Sequence, residues 1–252
     1  MGADIFDDLV AEQERLEAIL ARLPAAAWDR PSAVDGWSVR DVVLHLAQTE
    51  EAVMATVAGQ PGAGLMTGRL AAERPAAGTI DEVMDRMVRA DSSGPGEVFA
   101  RWAAARRAAV AALRGADPRK PLAWAQAPLK PATLATTRLA EHWAHGLDIT
   151  GPLGVAFPDT GRLRHIAWLG HSTLPYAFAL AGLAPQEIYC ELAAPDGATW
   201  CYGPPEAGST VTGPAGDFCR VGARRLRPER SGLAAGGPHA GTALRVLRNY
   251  AA

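Results

Sequence analysis

Glutamate and histidine occur one helical turn apart in the stretch 138–148, Arg-Leu-Ala-Glu-His-Trp-Ala-His-Gly-Leu-Asp. An α-helix turns about 100° per residue, so Glu141 and His145 lie on one polar stripe. Arg138 and Asp148 belong to the same stripe. Side chains four residues apart on a helix can bind one metal ion, but this spacing is also typical of an exposed polar pair. The helix alone leaves both interpretations open.

His45 is a third candidate ligand and lies in another predicted helix. Ser38 followed three residues later by Asp41 resembles a capping box, which predicts that the helix begins there. His45 shares a polar edge with both residues, so it is either a ligand or a structural histidine whose ring Asp41 orients. With Glu141 and His145 it would form a set of two histidines and one carboxylate, which suits a catalytic zinc or another divalent ion with an open position. We call these three side chains the candidate triad.

The remaining histidines give weaker signals. His142 points about 100° away from Glu141 around the helix, so we predict that it packs in the interior or lies behind the ligands. His165, His171 and His239 have no matching partners in the sequence and are predicted to be structural or exposed.

Apolar spacing predicts a helical N-terminal part and a mixed C-terminal part. Amphipathic patterns indicate successive helices through most of the chain. Beyond Pro185 the sequence contains short β-prone runs, and a Pro-Asp-Gly turn at 195–197 joins the first two. We therefore predict an α+β protein with a helical bundle in residues 1–184 and a small α/β domain in residues 185–252.

Composition and charge narrow the class of protein. With 252 residues, 48% of them hydrophobic, the chain can bury a substantial core. The formal net charge of −2 provides no basic field for nucleic acid and no polybasic segment for a membrane surface. The acidic N-terminus lacks the apolar core of a secretory signal, so we expect a cytoplasmic protein. Cys190, Cys201 and Cys219 are odd in number and form no C-x-x-C motif, which predicts free, buried thiols.

Two motifs resemble a known family. Residues 36–46, Gly-Trp-Ser-Val-Arg-Asp-Val-Val-Leu-His-Leu, and residues 141–148, Glu-His-Trp-Ala-His-Gly-Leu-Asp, are similar to the DinB-like metalloprotein superfamily. Within it they resemble the mycothiol-dependent maleylpyruvate isomerase N-terminal family, and particularly an actinobacterial metal-binding branch. The resemblance implies a four-helix-type bundle and carries the family's metal ligands over to His45, Glu141 and His145.

The C-terminal part resembles the same family's second domain, which is similar to sterol carrier proteins. The likeness rests on Val-Thr-Gly-Pro-Ala at 211–215 and on the following helix, which ends in Arg224 and Arg225. It implies a sterol-carrier-like fold for the small α/β domain.

The family implies a thiol cofactor, mycothiol, whose sulfur would bind the open position of a divalent metal, with zinc as the expected ion. A divalent ion favours thiolate over thiol, which provides a nucleophile at neutral pH. Such a nucleophile suits isomerisation or S-transfer on a small electrophilic substrate. Arg138 is a candidate for holding the cofactor or an acidic substrate, with an exposed salt bridge as the alternative. The expected partners are therefore a small-molecule substrate and a thiol cosubstrate.

Two other functions stay open at the level of sequence. A metal-dependent hydrolase or lyase would use metal-bound water and would need a general base, for which Asp148 or Asp41 is the candidate. A non-catalytic protein that binds a metal or a small molecule would use the ion for structure only. The motifs do not distinguish among substrates, because one fold supports many reactions.

Overall fold

The computed structural model describes residues 4–60, 80–124 and 127–249. This part of the chain forms nine α-helices and four β-strands, which confirms the predicted α+β class. Among the helices described, none is long and apolar enough to cross a membrane. The chain divides into two compact units, one ending at Phe157 and the other beginning at Pro158. The sequence predicts the boundary after residue 184, where the β-prone runs begin, whereas the contacts of residues 158–184 group them with the second unit.

The first unit is a helical bundle. Its helices are α1 (Ile5–Leu20), α2 (Val39–Val57), α3 (Ile80–Arg89), α4 (Pro95–Gly115) and α5 (Pro131–Leu153). Helix α2 packs mainly against α4, α1 packs mainly against α5, and α2 also contacts α5. Buried apolar side chains, including Leu16, Val43, Leu46 and Trp102, form one core between the helices. This core fixes α2 and α5, the two helices that carry the candidate triad.

Local sequence sets the start of α2. Ser38 Oγ accepts a hydrogen bond from the backbone N–H of Asp41 (3.3 Å), and the Asp41 carboxylate accepts one from the backbone N–H of Ser38 (2.9 Å). This reciprocal pair satisfies amide groups that a helix N-terminus otherwise leaves free. The predicted capping box is therefore confirmed, and it places His45 on a side of α2 that is buried in the bundle.

Helix α5 buries its polar stripe. Pro131 occupies the first turn, and the helix ends before Gly154, whose φ of 69° is left-handed and suits a C-terminal glycine. Arg138, His145 and Asp148 are all buried. The stripe therefore faces the bundle interior, and in the Glu141–His145 pair only Glu141 is partly exposed, at 29% of its side chain.

The second unit combines helices with a small sheet. Its helices are α6 (Leu163–Ser172), α7 (Leu174–Leu180), α8 (Ala215–Gly222) and α9 (Ala240–Val246), and its strands are β1 (Tyr189–Ala193), β2 (Thr199–Tyr202), β3 (Thr210–Pro214) and β4 (Ala234–Gly236). The strand order is β2-β1-β3-β4, with β1 antiparallel to β2 and parallel to β3, and β3 antiparallel to β4. Helix α6 packs against α8 and β2. These contacts explain why the chain divides before α6.

The hairpin between β1 and β2 closes at the predicted turn. The backbone N–H of Ala194 donates to the carbonyl of Ala198 at 2.8 Å, and Gly197 adopts a φ of 84° that favours glycine. The three cysteines of the chain lie in this unit as free thiols. Cys190 and Cys219 are buried, as predicted, whereas Cys201 is exposed.

Candidate metal centre

The candidate triad converges inside the bundle. His45 comes from α2, whereas Glu141 and His145 come from α5. One oxygen of Glu141, Oε2, lies 3.7 Å from Nε2 of His45 and 3.4 Å from Nε2 of His145. One possible ligand atom from each side chain lies within 4.8 Å of the other two. The fold thus brings together three side chains from two distant parts of the sequence.

The spacing of these atoms fits a divalent metal ion. Four ligands arranged tetrahedrally at about 2.0–2.1 Å from zinc lie roughly 3.3 Å apart. The two measured distances to Glu141 Oε2, 3.7 and 3.4 Å, are close to this value. The Glu141 side chain is 29% exposed, so the cluster can be reached from solvent. Two imidazoles and one carboxylate are also the donor types that zinc accepts in proteins.

Asp148 orients the ring of His145. Its Oδ2 lies 2.9 Å from Nδ1 of His145, so Nδ1 donates to Asp148, and Nε2 is the ring nitrogen that faces Glu141. Burial lowers the pKa of His145, but the hydrogen bonds to Asp148 and Glu141 outweigh burial and the pKa is raised overall. Asp148, considered above as a general base, therefore binds the ring nitrogen on the side away from the triad.

Glu141 is held as a carboxylate. Burial alone would raise the pKa of Glu141, but hydrogen bonds from His145 and His45 hold it well below the usual range. The positive charge of Arg138 acts in the same direction. An ionised carboxylate between two imidazoles provides the negative charge that a divalent cation requires of its ligands.

His45 is held by packing against an aromatic ring. The indole of Trp37 lies with its ring centroid 5.3 Å from that of His45, at an angle of 52°. Burial lowers the pKa of His45, which favours the neutral form that binds metal. Asp41 was a candidate for orienting this ring, but its carboxylate bonds Ser38 in the capping box and pairs with Arg40 at 2.7 Å.

Arg138 is buried in the bundle. Its Nε lies 2.8 Å from Oε1 of Glu50, and its Nη2 donates to Oγ1 of Thr49 at 2.6 Å. The guanidinium also lies 6.0 Å from the ring centroid of Trp124. The exposed salt bridge considered for Arg138 is therefore wrong, because Glu50 of α2 meets it in the interior. Both polar contacts come from α2, so Arg138 links the two helices of the triad.

His142 packs in the interior, as predicted. Its Nδ1 donates to the backbone carbonyl of Arg138 at 2.8 Å, and its Nε2 accepts from the indole N–H of Trp102 at 3.2 Å. Burial lowers the pKa of His142 to about 3. Both ring nitrogens are occupied, so this histidine is fixed as a neutral side chain beside the triad and does not compete for a metal.

The sequence did not point to Glu50 or Trp37. Glu50 stands next to Glu51, and such an acidic pair is usually solvated. Trp37 precedes the helix cap at Ser38 and is expected there as an apolar contact. A hydrophobic residue just before a capping box was the available signal for Trp37, but its contact with His45 becomes visible only in the folded chain.

These features define a helical-bundle protein with a candidate metal centre, joined to a small α/β unit. A family model described as Mycothiol maleylpyruvate isomerase N-terminal domain matches residues 9–150, and the chain belongs to this family. Two uncharacterized proteins from two strains of Mycobacterium tuberculosis are each 39% identical to it over 215 residues. The matched region is 84% of this chain and 81% of each relative.

Solved structures support the fold. The crystal structure of a mycothiol-dependent maleylpyruvate isomerase matches with a TM-score of 0.60 at 16% identity, over 93% of this chain and 95% of that chain. A mutant of that isomerase matches with a TM-score of 0.59 at 15% identity, with the same coverage. At these identities the likeness establishes the shared architecture.

Proposed function

We propose that this protein is a divalent-metal-dependent enzyme that uses mycothiol for isomerisation or S-transfer on a small electrophilic substrate. The observation that carries the proposal is the convergence of His45, Glu141 and His145 within 4.8 Å at a point reachable from solvent. Family membership supports the thiol, because the matching family and a structural neighbour are both named for mycothiol.

The residues of the site would have separate roles around the ion. The candidate triad would hold it, and zinc is the expected metal for two imidazoles and one carboxylate. When bound, a divalent ion supplies the charge that favours thiolate over thiol near neutral pH. Asp148 would keep the proton on Nδ1 of His145, which leaves the lone pair of Nε2 free to bind the metal ion. His45 and His145 are buried, which shields this side of the centre from water.

Asp148 and Arg138 take roles other than those considered from the sequence. We assign Asp148 to positioning His145, because its carboxylate binds Nδ1. A general base for a hydrolase would have to face the triad instead, so this contact does not support Asp148 in that role. We assign Arg138 to placing a positive charge near Glu141. The ion pair with Glu50 and the hydrogen bond to Thr49 hold its guanidinium in position.

Metal content tests the centre. We expect the purified parent to contain or take up about one divalent ion per chain, and His45→Ala, Glu141→Ala and His145→Ala to lose most of it. The measurement is elemental analysis after dialysis, with circular dichroism to confirm that each variant is folded. His171→Ala is the control, because its ring bonds the carbonyl of Ile188 within the second unit and it is not a member of the triad. Equal metal in parent and triad variants would contradict the proposal.

Thiol dependence tests the reaction class. The metal-loaded parent is incubated with a small electrophile, with and without mycothiol, and loss of the electrophile is followed. Mycothiol is consumed in S-transfer and regenerated in isomerisation, so its concentration is followed as well. We expect turnover only with mycothiol, and its loss in Glu141→Ala. Turnover at the same rate without thiol would instead indicate a hydrolase or lyase that uses water.

A further inference from the structure

We propose that Trp37, fixed by Asp85, is a positioning residue for the metal ligand His45. This inference rests on the metal centre proposed above and extends it to two residues outside the ligand set. The indole lies 5.3 Å from the imidazole of His45, centroid to centroid. Its Nε1–H donates to Oδ1 of Asp85 on α3 at 2.8 Å. The contact therefore runs from α3 through Trp37 to a ligand on α2.

The two histidines of the triad are oriented by different means. Nδ1 of His145 is bonded to Asp148. Nδ1 of His45 is buried and has no hydrogen-bond partner among the residues that the structure describes. A ring without such a partner can rotate about its Cβ bond unless packing prevents it, and ligand histidines usually need a second group to fix them. Two rings pack on His45: the imidazole of His145, itself a member of the triad, at 5.0 Å between centroids, and the indole of Trp37 at 5.3 Å, which lies outside the triad and can act as a separate support.

The backbone of Trp37 is itself held in place. Its carbonyl accepts hydrogen bonds from the backbone N–H of Ser32 at 2.9 Å and from Ser32 Oγ at 2.8 Å. The neighbouring Ala33 donates its N–H to the carbonyl of Asp148 at 2.9 Å. Since Asp148 also orients His145, the segment 32–37 contacts the supports of both histidines. Because the backbone is fixed, the position of the indole depends on its ring contacts and on its hydrogen bond to Asp85.

Asp85 is the residue of this arrangement that is best suited to substitution. Its other oxygen, Oδ2, pairs with Nε of Arg89 at 2.7 Å, and its side chain is 37% exposed. The Asp85 side chain can be changed with little effect on the core, whereas Trp37 is buried. Removing the Asp85 carboxylate frees the indole N–H, and the ring can then tilt away from His45.

Metal affinity tests this inference with matched controls. Zinc affinity is measured by chelator competition, and the visible absorption spectrum of bound Co²⁺ reports the ligand geometry. We expect Asp85→Ala and Trp37→Phe to weaken zinc binding by about tenfold and to shift the Co²⁺ spectrum. Arg89→Ala removes the other partner of Asp85 and leaves the indole bond, so it should match the parent. Trp28→Phe changes another buried tryptophan, which packs on Phe99, and should also leave the spectrum unchanged.

Three outcomes would overturn the positioning role of Trp37. Zinc affinity within about twofold of the parent and an unchanged Co²⁺ spectrum in both Asp85→Ala and Trp37→Phe would overturn the role of Trp37 while leaving the metal centre intact. Equal weakening in the two control variants would also overturn it, because general loosening of the bundle would then explain the loss. A parent chain that binds neither Zn²⁺ nor Co²⁺ would overturn the metal centre and the positioning role together.

Discussion

His142 and His145 lie on the same helix but differ in their hydrogen-bond partners. The ring of His145 meets two carboxylates, from Asp148 and Glu141, and its pKa is raised. The ring of His142 meets a backbone carbonyl and an indole N–H, and burial lowers its pKa to about 3. Proximity to the candidate triad therefore does not set protonation. The hydrogen-bond partners of each ring nitrogen set it, and they differ between His145 at the candidate centre and His142 in the core.

His142 should make stability depend on pH. In the unfolded chain it binds a proton below a pKa of about 6.5, whereas in the folded chain it stays neutral down to about 3. Its stabilising contribution is therefore complete above about pH 6.5 and is lost as pH falls toward 3. Between about pH 7 and pH 5 this group alone removes roughly 2 kcal/mol from the free energy of unfolding.

The measurement is urea unfolding of metal-free parent and His142→Gln at both pH values. We expect the parent to lose more stability than the variant on acidification, because glutamine does not titrate. The loss shared by the two chains reports the other titrating groups. An identical loss in both would show that His142 is protonated in the folded state.

Individual site residues were predictable where their spacing along one helix placed them on a common face. The Glu141 and His145 spacing indicated a shared face, and the structure places both at the cluster. His45 was proposed from its polar edge and donor type, but the sequence does not fix the distance between α2 and α5, so the family resemblance strengthened its grouping with Glu141 and His145. Trp37 acts across helices, so its contact with His45 depends on tertiary packing and leaves no local pattern.

A buried ion pair joins α2 to α5. Glu50 of α2 is fully buried, and its Oε1 lies 2.8 Å from Nε of Arg138 on α5. Burial raises the pKa of Glu50, although the charge and hydrogen bond of Arg138 oppose this shift. The pair joins the two helices that supply the triad. Its loss would leave an uncompensated charge in the interior.

Glu50→Ala should therefore destabilise the bundle by about 3–5 kcal/mol. Glu51→Ala is the matched control, because Glu51 is the adjacent glutamate and pairs with Arg101 at 2.6 Å on the partly exposed surface. Its removal should cost less than about 1 kcal/mol. Urea unfolding followed by circular dichroism measures both. Losses of equal size would indicate that the Glu50 pair is solvated in solution.

Elements were predictable where a local chemical signal exists. The capping box gave the start of α2, and Asp196-Gly197 gave the turn between β1 and β2. Strand β4 was missed because Ala-Ala-Gly contains no β-branched or aromatic residue, and it forms by pairing with β3. The division after Phe157 reflects packing of α6 on α8, which amphipathic spacing alone does not encode.

At the scale of the whole molecule, the candidate triad lies entirely in the first compact unit. The family model, which covers residues 9–150, falls within the same unit. A metal ion bound at the proposed centre would therefore couple its binding to the folding of the bundle through α2 and α5. A ligand that binds only the folded form stabilises it by mass action.

Metal addition should accordingly stabilise the bundle, and a chelator should reverse the effect. At a free zinc concentration about 100 times Kd, the free energy of unfolding should rise by about 2.7 kcal/mol in the parent. Glu141→Ala, which removes the carboxylate of the triad, should gain little. Hydrogen exchange locates the effect, with slower exchange expected in α2 and α5 and unchanged exchange in β1 and β3. Equal stabilisation of parent and Glu141→Ala, or slowing centred on the sheet, would show that zinc binds elsewhere on the chain.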